Sequence, residues 1–193
     1  MRTQINTSLD VVQVVMTYNS KHAAAITNKF DELFRINIVS LEEGYPMVFS
    51  KEIKGEYIKM NQIEQTDDGK TICIPYQDNG VFYLTVISLE GEIQELVTLN
   101  VSEHLGLDDK SKPITGFWEP LITASFIKMD SLFVSAYHRL QKKQYHFIYD
   151  YKNKQPKSPT FEQEIKNCTP MNFPIKSFYS VENNECYVFY RQG

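Results

Sequence analysis

Apolar positions in this chain fall in short alternating runs broken by polar turns, which is the pattern of antiparallel strands rather than of helices. Runs at residues 11–16, 57–63, 122–129 and 175–181 each meet a small polar turn, at Tyr18-Asn19-Ser20, Asp67-Asp68-Gly69, Asp130 and Asn183-Asn184. Beyond the first three turns the pattern predicts a two-stranded hairpin, and beyond the fourth the first arm of another. The first two hairpins are followed by one more alternating segment, 47–53 and 93–99, reached through Glu43-Gly44 and Gly91-Glu92. The predicted unit is therefore strand, turn, strand, turn, strand, turn, strand.

These units are copies of one another. A shift of 48 residues carries Ser40 onto Ser88 and, without a gap, sets Ile26 on Ile74, Phe34 on Phe82 and Ile38-Val39-Ser40-Leu41-Glu42 on Val86-Ile87-Ser88-Leu89-Glu90. A third hairpin matches Tyr149 to Ser88 at a shift of 61, also ungapped, and a fourth matches Cys186 to Leu132 at 54 before the sequence ends inside the unit. The expectation is one β-repeat domain over 1–193, with units at about 11–53, 57–99, 122–170 and 175–193.

A four-stranded sheet cannot bury both of its faces alone, so serial repetition of such sheets implies stacking against neighbours. Four-stranded meanders recurring about every 40–50 residues characterise propeller blades. On the matched segments above, the chain resembles a degenerate WD40-type array, although no Gly-His or Trp-Asp signature stands at that family's positions. The resemblance implies an all-β fold of antiparallel four-stranded repeats, a partial β-propeller of about three and a half blades, where rings hold roughly 4–8. Completion then falls to the remainder of a longer chain or to self-association. The competing fold is a β-sandwich or irregular barrel, because any two antiparallel hairpins share turn and strand periodicity.

Composition supports strands. Hydrophobic residues make up 42% and charged residues 23%, an ordinary globular balance, while 12 Tyr and 12 Phe favour pleated surfaces. The net charge of -4 argues against a nucleic-acid partner. The basic cluster of Arg139, Lys142, Lys143, Lys152, Lys154 and Lys157 reads as a solvated hairpin rim, with Glu162 and Glu164 close behind. No signal-like or membrane-length apolar stretch occurs, and Cys73, Cys168 and Cys186 are odd in number and widely spaced. Those features lead to the expectation of a cytoplasmic protein with reduced thiols and no membrane partner.

Candidate chemistry is sparse. His138 and His146 lie on opposite arms of the third hairpin without the further ligand that zinc requires. Ser135 and His138, three apart on one strand, fall on opposite faces and cannot form a nucleophile–base pair. Asp67-Asp68 and Asp108-Asp109 lack the alternating oxygens of a calcium loop, and Asp67-Asp68-Gly69 reads as a turn. No catalytic, metal or cofactor site is expected on these grounds. The connection 102–120 holds the only tryptophan, and Phe117 and Trp118 are its candidate partner-binding residues. A second insertion, 151–174, contains Ser158-Pro159 followed by acids, which predicts a short helix. The functional expectation is a non-enzymatic protein–protein interaction or scaffold module. The alternative is an enzyme or carbohydrate-binding propeller with its site assembled at the central axis.

Overall fold

Period-two alternation becomes four consecutive antiparallel sheets in the computed structural model, which describes residues 10–29, 33–55, 63–78, 81–106, 122–127, 129–138, 143–164, 174–180, 182–183 and 185–190. The first sheet holds β1 (Asp10–Met16), β2 (His22–Lys29), β3 (Leu33–Ser40) and β4 (Met47–Lys54), side by side in chain order. The second holds β5 (Glu64–Gln65), β6 (Thr71–Asp78), β7 (Val81–Ser88) and β8 (Gln94–Asn100), and runs on into a single helical turn, α1 (Val101–His104). The third is built of β9 (Ile122–Ile127), β10 (Ser131–His138) and β11 (Lys143–Asp150), with β12 (Gln155–Pro156) and β13 (Phe161–Glu164) both paired to β11. The fourth is the hairpin of β14 (Pro174–Ser180) and β15 (Glu185–Tyr190).

The second sheet explains why the sheets stack. Successive side chains on a strand point to opposite faces, so a nearly continuous apolar run such as Val81–Ser88 needs cover on both. Ile72, Ile74, Tyr76 and Ile87 share a core with Ala24, Ile26, Phe34, Ile36 and Ile38 of the first sheet. Cys73, Phe82, Leu84 and Val86 share a different core with Ala124, Leu132, Val134 and Phe147 of the third. Two cores on opposite faces of one sheet exclude a single two-layer sandwich.

From the second sheet onward, contact between sheets concentrates at their first strands: β9 lies against β5 and β6, and β14 lies against β9 and β10. The turns after β1 and β5 lock the first two sheets together by an identical device. Thr17 Oγ1 donates to Asn19 Oδ1 at 2.7 Å and Thr66 Oγ1 to Asp68 Oδ1 at 2.7 Å, and each acidic or amide oxygen accepts the backbone N–H two residues on. Asn19 Nδ2 then donates across to the carbonyls of Asp68 and Gly69, at 3.1 and 3.0 Å. Gly69, at φ +65°, leaves no room for more, since a Cβ there would stand 2.7 Å from the Asn19 nitrogen.

Strand register corrects the ungapped alignment of the units. His22 pairs with Ser40 as Thr71 pairs with Ser88, so the leading strands are related by 49 residues and the following strands by 48. Lys29 pairs with Leu33 but Asp78 with Val81, which leaves the first hairpin one residue more between its paired ends than the second. Ile26 therefore occupies the place of Pro75 and faces the next sheet, whereas Ile74 faces the previous one. In the third unit Ser131 and Asp150 stand where Thr71 and Ser88 stand, shifts of 60 and 62, so the ungapped match of Tyr149 to Ser88 is also displaced by one. The backbone bonds agree: Leu41 N to Lys21 O, Leu89 N to Lys70 O and Tyr151 N to Asp130 O close the same corner three times.

The helix expected after Ser158-Pro159 is a strand instead. Ile148 N donates to Ser158 Oγ at 2.9 Å, and β13 then pairs Phe161 with His146 and Glu164 with Lys143 along the free side of β11. Four backbone-paired residues on an open sheet edge outcompete a helix start that has no apolar stripe to bury.

Candidate functional site

An open groove of ≈ 380 Å³ lies between the outer parts of the first and second sheets, lined by Lys51, Glu52, Ile53 and Lys54 of β4, Tyr76 and Asp78 of β6, Tyr83 of β7, and Glu95 and Thr98 of β8. Gln65 of β5 donates to the Met16 carbonyl and accepts from Tyr18 N on the first-strand side of these two sheets, and the groove lies on the other side, toward β4 and β8. Its apolar floor is aromatic. Tyr76 and Tyr83 are cross-strand partners whose rings stack 5.2 Å apart at 14°, and Phe34 of the first sheet meets the Tyr76 ring edge-on at 5.3 Å. Such pairs contribute about 0.5–1.5 kcal/mol beyond their buried area.

The groove's polar groups form one chain. The Tyr76 hydroxyl bonds to Thr85, the Thr85 and Thr98 hydroxyls are 2.9 Å apart, and Thr98 Oγ1 donates to Glu95 Oε1 at 3.0 Å. Glu95 then receives Lys51 Nζ from the neighbouring sheet. A second ion pair crosses nearby, Lys54 Nζ to Asp78 Oδ2 at 3.8 Å. Burial raises the Tyr76 phenol above its ordinary range, with Tyr83, Glu95 and Asp78 adding to the shift. Burial raises Tyr83 as well, helped by Asp78 and Glu103, so both rings stay neutral hydrogen-bonding platforms. Gly55 follows Lys54 at φ +135°, where a Cβ would stand 2.5 Å from the Gln77 carbonyl oxygen.

The arrangement suits recognition. It offers the half-buried Tyr83 ring, backed by Tyr76 in the core, with exposed Lys54 and charges of both signs held by partners, while its acids are paired with Arg35, Lys51 and Lys54 rather than set beside a nucleophile. Among the described residues, no group of three or more His, Cys, Asp or Glu side chains converges to hold a metal ion.

Residues singled out from the sequence are placed elsewhere or lie outside the described part. Phe117, Trp118 and Asp108-Asp109 are outside it. Asp68 serves the turn already described. Ser135 Oγ accepts from Gln144 Nε2 at 2.7 Å, a buried structural bond. On the ladder, His146 pairs with Ser135 and His138 with Lys143. The His146 ring is stacked between Phe133, at 5.8 Å and 6°, and Phe161, at 6.2 Å and 27°, with Nδ1 buried and unpartnered. Burial pulls this imidazole down to about 4. The folded state therefore favours the neutral ring while the unfolded chain takes up a proton near 6.5. Stability is fully present above that pH and falls as pH drops from about 6.5 to 4, by roughly 1–2 kcal/mol after solvent screening. Urea midpoints at pH 7 and 4.5 check this, because the His146→Phe variant should lose measurably less stability on acidification than the parent.

The groove itself was not anticipated from sequence, although Tyr76 and Tyr83 straddle Asn79-Gly80, a two-residue hairpin signal that sets them opposite each other.

No family model matches the chain, and no curated protein sequence does. Solved structures do. The β-propeller domain of Cps50 (Swd1) from Myceliophteria thermophila superposes with a TM-score of 0.53 at 12% identity, over 96% of this chain and 54% of that one. The β-propeller domain of the Trilobed protease from Pyrococcus furiosus, described as having an open velcro topology, gives 0.50 at 12% identity over 94% and 52%. An acylaminoacyl peptidase gives 0.51 at 11% identity over 95% and 33%. This chain thus spans about half the length of the two propeller domains. Serial meander sheets, a shared core on each face of the second sheet and convergence of the second to fourth sheets on their first strands together make this chain a partial, degenerate β-propeller.

Proposed function

We propose that the chain is a non-enzymatic protein-interaction module that receives a partner in the groove between the first and second sheets. The observation that carries this reading is the half-buried Tyr83 ring, held by its stack on the buried Tyr76, in an open cleft with Lys54 exposed at its lip. Tyrosine platforms give large contact area with few torsions to freeze, and they dominate interface energetics out of proportion to their number. Phe117 and Trp118, on the connection that follows α1, are proposed as a second anchor. An enzymatic or carbohydrate-binding site at the axis would draw on acids and aromatics around the first strands, whereas the acids of the groove are spent on interstrand and intersheet pairing.

The test places a photo-crosslinking residue at Tyr83, identifies the captured protein, and measures its affinity for the purified chain by calorimetry. Tyr83→Ala and Trp118→Ala are each expected to weaken binding by about 1 kcal/mol or more, with the thermal midpoint used to separate folding from binding. Affinity per folded molecule that is unchanged by both substitutions contradicts the proposal.

A further inference from the structure

The two edges of the first sheet are built differently. β4 carries Lys51, Glu52 and Lys54, the charged pattern by which a solvent-facing edge strand resists pairing. β1 reads Asp-Val-Val-Gln-Val-Val-Met, with its one charge at Asp10 and a bulge between Val11 and Gln13, and is uncharged from Val11 to Met16. Val12 and Val15 turn toward the core shared with the second sheet, while Val11, Val14 and Met16 are 56%, 59% and 59% exposed. Elsewhere in the array that position is covered, because β9 is flanked by β5 and β6 on one side and by β14 on the other.

We propose that the Val11–Val14–Met16 row is an interface for a second copy of this chain, occupied by the β14–β15 hairpin of that copy. The second, third and fourth sheets join through their first strands, and a β14–β15 hairpin is what a first and second strand amount to. On β15, Tyr187 and Phe189 are 38% and 49% exposed, which gives the far end of the array an aromatic surface to set against the valine row. One array corresponds to about half of each propeller domain it matches, so two arrays joined end to end in both directions close a ring with twofold symmetry and two equal contacts.

Sedimentation equilibrium of the 193-residue chain at micromolar concentration is expected to give twice 22.5 kDa. Val14→Glu alone and Tyr187→Lys alone should each return the mass to that of one chain. An equimolar mixture of the two variants should recover the double mass, because one contact then pairs Glu with Lys and the other is unaltered. A wild-type chain that sediments as a single copy overturns the proposal, as does a double mass that both substitutions leave intact. Failure of the mixture to recover, with both variants folded by circular dichroism, also overturns it.

Discussion

Truncating Leu84 to alanine is expected to destabilise the fold by about 2–5 kcal/mol, and truncating Ile74, one position along the ladder on the opposite face of the same sheet, by a comparable amount. Both side chains are fully buried, Leu84 in the core shared with the third sheet and Ile74 in the core shared with the first. In a sheet with one solvated face the two positions would differ sharply, because only one of them would leave a cavity. Urea unfolding monitored by fluorescence and by circular dichroism gives both costs, and an unchanged denaturant slope confirms that native-state stability is what moved. A cost below about 0.5 kcal/mol for either residue, the range of ordinary surface substitutions, would mean that its face is not covered.

Gly55→Ala is expected to be nearly as damaging for a different reason. The backbone there sits at φ +135°, a region closed to residues with a Cβ, and the added methyl would meet the Gln77 carbonyl of the neighbouring sheet. Backbone strain and overpacking together should cost about 2–4 kcal/mol. Gly91→Ala serves as the control, since its positive φ brings strain but nothing lies within 4 Å of the new methyl. The difference between the two midpoints reports the contact between sheets together with the harsher φ at Gly55. Equal midpoints would mean that the end of β4 does not pack on β6 as described.

The strand pattern was legible because alternation reports directly on which side of a pleat each residue lies. Segments 47–53 and 93–99 fall within one or two residues of β4 and β8 for that reason. Register was not legible. Ile26 and Ile74 look equivalent at a shift of 48, yet one extra residue before β3 places them on opposite faces, because a single-residue slip inverts a strand. Side-chain type cannot reveal the slip when both faces are apolar. Ser158-Pro159 carries the local chemistry of a helix start, and what overrides it is the free edge of β11, a feature of the folded sheet. The groove was hidden for a related reason. Lys51 and Glu95 stand 44 positions apart in different units, and nothing local to either predicts their meeting, which depends on how two sheets pack. Tyr76 facing Tyr83 was within reach, because Asn79-Gly80 is a two-residue hairpin signal in the sequence.

Everything rests on the second sheet being sandwiched between its neighbours. Methyl and aromatic nuclear Overhauser effects measure that directly in solution. A sandwiched second sheet gives cross-peaks joining the Phe34 and Ile36 group to Ile72 and Ile74, a separate set joining Leu84 and Val86 to Leu132 and Val134, and none between the first and third sheets. Cross-peaks between Ile36 or Ile38 and Val134, with one of the two predicted sets missing, would contradict it.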